Sequence, residues 1–139
     1  MYASGFLSLG ALVATAIATT AVSYDTGYDD GSRTLAVTSC SDGDNGLITR
    51  YHWQTQNQIP RFPFIGGAQA VAGWNSPSCG TCWSLQYQGR NITVLAVDHS
   101  GDGFNIGLHA MNELTGGRGV EVGRVKAEAT PVDVKLCGL

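Results

Sequence analysis

The constraint that most limits the fold is the placement of four cysteines. Two lie three apart in Gly-Trp-Asn-Ser-Pro-Ser-Cys-Gly-Thr-Cys-Trp, residues 73–83, and the other two, Cys40 and Cys137, lie far away on either side. In an oxidising compartment, four cysteines in a small domain read as two disulfides, and sequence alone permits three pairings. A redox use of Cys79 and Cys82 is the sharp alternative, because Cys-x-x-Cys spacing lowers a thiol pKa. That motif normally opens a helix, whereas here the strand-like Trp83-Ser84-Leu85-Gln86-Tyr87 follows. A zinc site is weaker, since Cys79/Cys82 supply one half and Cys40 and Cys137 form no second half. Bridges closing loops of about 40 to 50 residues would each stabilise the fold by about 4 kcal/mol.

The compartment decides between these uses. Residues 1–24 carry no charged side chain, and Phe6 to Ala21 is an apolar and small-residue run. It is short for a membrane span and ends in small residues, as a secretory signal does. Residues 1–21 are therefore read as a signal peptide cleaved after Ala18 or Ala21, although no Lys or Arg precedes its apolar core. The mature chain is expected to be secreted, with no membrane span. Charged residues make up only 14% of the sequence, the net charge is −3, and the eight Lys and Arg form no basic run. That distribution excludes a nucleic-acid partner.

Nineteen glycines and many short apolar stretches favour strands and tight turns over helices. Val22 to Asp30 reads as a first strand and turn, Leu35 to Cys40 as strand-like, and Ser41 to Gly46 as a turn cluster. Asn91 to Val97 is the clearest strand. Both of its faces are apolar, which places it inside a closed or layered β structure. Leu108, Met111 and Leu114 repeat at helical spacing within Phe104 to Leu114, and Gly116-Gly117 stops the helix. Two closing strands are expected at Val120 to Ala127 and Pro131 to Cys137.

From residue 22 to 139 the chain resembles the cerato-platanin family of small secreted fungal proteins. The resemblance is carried by Val-Ser-Tyr-Asp at 22–25, Cys-Ser-Asp-Gly-Asp-Asn-Gly-Leu at 40–47, Ile-Gly-Gly at 65–67 and the cysteine block at 73–83. Val-Asp-His-Ser at 97–100, Gly-Phe-Asn-Ile at 103–106 and Val-Gly-Arg-Val at 122–125 complete it. It implies a mainly β fold, a six-stranded double-ψ β-barrel with one or two short helices. Its disulfides would pair Cys40 with Cys79 and Cys82 with Cys137. It also implies binding of chitin-type (N-acetylglucosamine) oligosaccharides, self-assembly of a monomer at interfaces, recognition by a host-plant receptor with defence elicitation, expansin-like loosening of walls, and allergenicity.

Asp98 ends the best strand, just before Ser100-Gly101-Asp102-Gly103. In the related expansins and endoglucanases an aspartate at the matching place is a general acid. Two-carboxylate hydrolysis needs a second carboxylate across the scissile bond, and Asp102, on a short flexible loop, is a poor one. Asp98 is read as a hydrogen-bonding group for sugar hydroxyls or acetamido groups. The plainer reading is a turn-stabilising aspartate bonded to backbone N–H groups. Tyr24, Asp25 and Asn105 join Asp98 as carbohydrate-binding candidates, with no catalytic residue, no metal and no cofactor. Trp74, Trp83 and Phe104 are read as core residues. Asp98-His99-Ser100 cannot form a hydrolase triad, because consecutive strand residues point to alternate sides. Asn91-Ile92-Thr93 is an N-glycosylation sequon. Tyr51 to Gln58 departs from the family pattern and is expected to reshape one loop of the groove.

Two other functions compete with a non-catalytic carbohydrate binder. One is a weak glycoside hydrolase using Asp98 as acid; the other is a surface-active structural wall protein.

Overall fold

The computed structural model describes residues 18–139; the expected leader, apart from its last residues, lies outside the described residues. Six strands close into a barrel: β1 (Thr19–Tyr24), β2 (Ile65–Ala68), β3 (Cys82–Tyr87), β4 (Arg90–His99), β5 (Phe104–Ile106) and β6 (Arg124–Val132). Around the barrel the order is β1-β5-β2-β4-β3-β6. β1/β5 and β2/β4 are parallel, and every other neighbouring pair is antiparallel. This is the mixed, closed barrel that the resemblance implies, and closure leaves no sheet edge unpaired.

The expected buried strand is β4. Ile92, Val94, Leu95, Ala96 and Val97 are all buried, because the barrel interior takes one face and covering elements, including α2 (Leu108–Thr115), take the other. β3 and β4 are joined by a two-residue turn, Gln88-Gly89, with φ of 47° and 77°. Both φ values are positive, the geometry that matches strand twist in a hairpin.

The helix expected over Phe104 to Leu114 divides in two. Phe104–Ile106 is β5, and α2 begins only at Leu108. Asp29 sets that start from far away in sequence, accepting from the N–H groups of Leu108 (2.6 Å) and His109 (3.0 Å). Two shorter helices, α1 (Leu47–Tyr51) and α3 (Gly119–Val122), have too few residues for a periodicity signal. Two further expectations are corrected. Leu35–Val37 is a 3-10 turn capped by Thr34, not a strand. The two closing strands are one, β6, with α3 before it and a 3-10 turn at Val134–Cys137 after it. Pro131, read as the start of a separate strand, lies inside β6.

The disulfides are Cys40–Cys79 and Cys82–Cys137. Each cysteine of the 73–83 block therefore ties it to a different part of the chain. The pairing disposes of a redox or zinc use for these thiols.

Candidate functional site

Register, rather than sequence proximity, assembles the site. Asp98 on β4 pairs with Gly67 on β2, Gly67 with Asn105 on β5, and Asn105 with Ser23 on β1. Ser23 in turn pairs with Arg124 on β6. Paired residues in adjacent strands share a face. Their neighbours Val22, Val97, Phe104 and Val125 are buried, so this row lies on the outside of the barrel. At strand spacings of about 4.8 Å, the stretch from Asp98 to Ser23 is about 14 Å long. Within it the Ser23 hydroxyl donates to Asn105 Oδ1 at 3.2 Å.

A bulge puts Asp98 in this row. Gly66 pairs with Ala96 but Gly67 with Asp98, so Val97 is skipped. Bulges re-aim side chains in this way. Without the extra residue, Val97 would stand beside Gly67 and Asp98 would leave the row. The skipped residue keeps its backbone satisfied, because the Cys40 N–H donates to the Val97 carbonyl at 3.2 Å.

Gly67 gives the row its floor. A Cβ there would lie 2.7 Å from the His99 carbonyl oxygen and 3.4 Å from the Tyr28 hydroxyl. Tyr28 comes from the turn Thr26–Asp29, is buried, and donates to Asp98 Oδ2 at 2.9 Å. Burial first, and then the adjacent Asp98 charge and this hydrogen bond, push the Tyr28 hydroxyl pKa up, so it stays a neutral donor. The Arg33 guanidinium lies over its ring, 5.4 Å from the centroid.

The other Asp98 oxygen, Oδ1, accepts from the backbone N–H groups of Ser39 and His99, both at 2.9 Å. Of about four lone-pair positions on a carboxylate, three are therefore taken by donors. The turn-stabilising contacts expected of Asp98 are present, and they also fix it as one end of the row.

The other candidates are placed differently. Asn105 sits in the row, its Oδ1 engaged by Ser23 and its amide donors without a partner among the described residues. Asp25 is exposed and caps the Thr26–Asp29 turn, accepting from the Gly27 N–H at 2.8 Å. It lies at the rim, close enough for its charge to act on Tyr28. Tyr24 is half-buried and packs against the core. Asp102, on the loop after β4, pairs with Arg124 at the far end of the row. Asn91, at the opposite end of β4 from Asp98, is exposed and accepts from the Ser84 hydroxyl at 2.8 Å.

Sequence reasoning missed Tyr28, Gly67, Ser23 and Ser39. Only Gly66-Gly67 left a trace: paired glycines within an apolar strand mark a close approach of another group. The departing segment Tyr51 to Gln58 does bear on the site. Buried Gln56 donates through Nε2 to the carbonyls of Gly27 (2.9 Å) and Asp30 (2.8 Å), bracing the turn that carries Tyr28. One tryptophan reading is overturned. Phe104 is buried and Trp83 half-buried against it, with ring centroids 5.4 Å apart, but Trp74 is 63% exposed. It precedes a left-handed Asn75 and is held outward by loop contacts that no periodicity encodes.

The same fold recurs in known proteins. The chain is 49% identical over 121 residues to a heat-stable 19 kDa antigen of Coccidioides immitis, covering 87% of this chain and 82% of that protein. It is 47% identical over 116 residues to an allergen of Aspergillus fumigatus, covering 84% and 75%. The solution structure of the fungal elicitor cerato-platanin superposes with a TM-score of 0.76 at 38% identity, over 84% of this chain and 95% of that one. The family model for cerato-platanin matches residues 20–139. With the fold, both disulfides and this match in agreement, the chain belongs to the cerato-platanin family.

Proposed function

We propose that the protein is a secreted, non-catalytic carbohydrate-binding protein that acts at cell walls, with N-acetylglucosamine oligomers as the ligand class. The row Asp98–Gly67–Asn105–Ser23 carries this reading. It offers a carboxylate, an amide and a hydroxyl in line over a glycine floor. A flat polar strip of this kind suits an extended polyhydroxylated chain, whose hydroxyl and acetamido groups both donate and accept.

Against hydrolysis stands the use of Asp98. Three donors converge on its carboxylate, an arrangement for a fixed acceptor and not for a group that hands a proton to a leaving oxygen. Secretion is supported by the two disulfides, which belong to an oxidising compartment. Cleavage after Ala18 would keep β1 whole, whereas cleavage after Ala21 would remove three residues that pair with β6. N-terminal sequencing of the secreted protein should therefore begin at Thr19. Elicitation of plant defence through a host receptor, and loosening of walls without cutting, are part of the same reading, and one relative is described as an elicitor.

Incubation with chitin and cellulose oligomers tests it. The expected result is binding that Asp98→Ala weakens, with no new reducing ends. Turnover abolished by Asp98→Ala would overturn the reading in favour of a hydrolase.

A further inference from the structure

We propose that Trp74 and Asp42 form a second carbohydrate subsite, an indole platform with a carboxylate at its edge. It would seat a terminal pyranose ring of an oligosaccharide lying in the Asp98–Ser23 row. The proposal rests on the groove reading above and extends it to a part of the molecule outside the barrel wall.

Trp74 is 63% exposed, yet it is tied down. Its Nε1–H donates to Asp42 Oδ1 at 2.7 Å. Its ring lies against Gly43, where a Cβ would stand 3.1 Å from Trp74 Cζ2. The next residue, Asn75, is held in the left-handed region at φ 58°. Its Oδ1 accepts from the Asn45 N–H (2.9 Å) and its carbonyl from Asn45 Nδ2 (3.0 Å). The Cys40–Cys79 disulfide staples the two loops together. An exposed ring fixed before any ligand arrives loses little freedom on binding.

The chemistry of the pair selects the ligand. The indole face is flat and apolar, and the carboxylate beside it is an acceptor. Hydrogen bonds from Trp74 and then Ser41 hold the Asp42 pKa below the usual carboxylate range. A hydrocarbon surface laid on this ring would cover an ionised carboxylate whose Oδ2 has no donor among the described residues, which is costly. A pyranose presents a C–H face to the ring and hydroxyls at its rim to the carboxylate.

Position connects the platform to the row. Ser39 donates its N–H to Asp98 Oδ1 and accepts from the Asn75 N–H at 3.3 Å through its carbonyl. One residue thus bridges the terminal carboxylate of the row and the loop that carries Trp74.

Titration of ¹⁵N-labelled protein with N-acetylglucosamine dimer and hexamer tests the proposal, with the Trp74 indole N–H assigned by comparison with Trp74→Phe. Expected are hexamer-induced shifts at the Trp74 indole and at Asp98 and Asn105. Trp74→Ala should bind the hexamer roughly three- to tenfold more weakly, the range for one aromatic contact, with little change for the dimer. Hexamer affinity unchanged in Trp74→Ala, with a silent Trp74 indole, would overturn the platform and leave the groove reading standing. Shifts at Trp74 with none at Asp98 and Asn105 would do the reverse. A Trp74 response to dodecylphosphocholine micelles but not to hexamer would replace the sugar with an apolar surface and overturn the proposal.

Discussion

The two ends of β4 are built on opposite plans. At one end Asp98 is held by Tyr28 and Ser39, which are 70 and 59 residues away in sequence, and by a bulge that depends on β2. At the other end Asn91 stands beside a two-residue turn, and its bonded partner Ser84 is seven residues away. Long-range contacts cost more chain entropy to close than local ones. The Asp98 end is therefore the part that needs staples, glycine floors and buried donors to persist. The Asn91 end forms from a hairpin alone and is free to carry change. The candidate row thus lies at the end built from long-range contacts, and the sequon at the end built from local ones.

Removing the staple should break this contrast most. Cys40→Ser with Cys79→Ser is expected to cost about 4 kcal/mol in chemical denaturation. Amide shifts should spread over Ser39, Asp98 and Asn75 while the β3–β4 turn keeps its own. Equal disturbance at both ends would mean the contrast is wrong.

Gly67→Ala should cost about 1 to 3 kcal/mol, because its Cβ meets backbone rather than a movable side-chain tip. It should also weaken oligosaccharide binding. Gly89→Ala, at a positive φ in the hairpin turn, should cost about 1 to 2 kcal/mol and leave binding intact. Parallel melting curves and titrations of the two variants distinguish a groove effect from a fold effect.

Tyr28→Phe leaves Asp98 one donor short and should cost about 1 to 3 kcal/mol. Its pH dependence has a defined sign. Tyr28 has a raised folded-state pKa, so its contribution is fully present below the unfolded tyrosine value of about 10 and is lost as pH rises towards the folded value. Urea midpoints measured across alkaline pH should fall in the wild type, and Tyr28→Phe should lack that component. Identical alkaline limbs would show that the hydroxyl is not linked to folding.

The smallest effect is expected at the other end. Asn91→Gln should change stability by less than about 0.5 kcal/mol and leave oligosaccharide affinity unaltered. A mass loss on enzymatic removal of N-glycans from the secreted wild type, absent in the variant, would establish the modification. Weaker sugar binding in Asn91→Gln would erase the distinction between the two ends.

The legible parts of this molecule share one property: they are encoded within a short window. Asn91 to Val97 declares itself through apolar residues on both faces, and Ser41 to Gly46 through its turn chemistry. The disulfide pairing came only with the family resemblance. Asp98 was legible as a strand-end carboxylate, but its place in the row was not. That place is set by a one-residue skip at Val97, which exists only relative to β2. Tyr28 was invisible because a 3-10 turn has no periodicity and its partner lies across the chain. Trp74 was misread because burial of an aromatic is a default that specific loop bonds override. The link between the cysteine block at 73–83 and Asp98 was not legible either: the Asn75 N–H donates to Ser39, which in turn holds Asp98.

The barrel is closed by a seam between its first strand and its last: Thr19 pairs with Glu128 and Ser23 with Arg124. A chain that emerges amino-terminus first cannot make that seam until β6 has been delivered, so closure waits for nearly the whole polypeptide. The candidate row draws on β4, β2, β5 and β1, and β1 gains its second neighbour only when β6 arrives. On the proposed reading, competence to hold a ligand is then a late event that follows closure of the barrel.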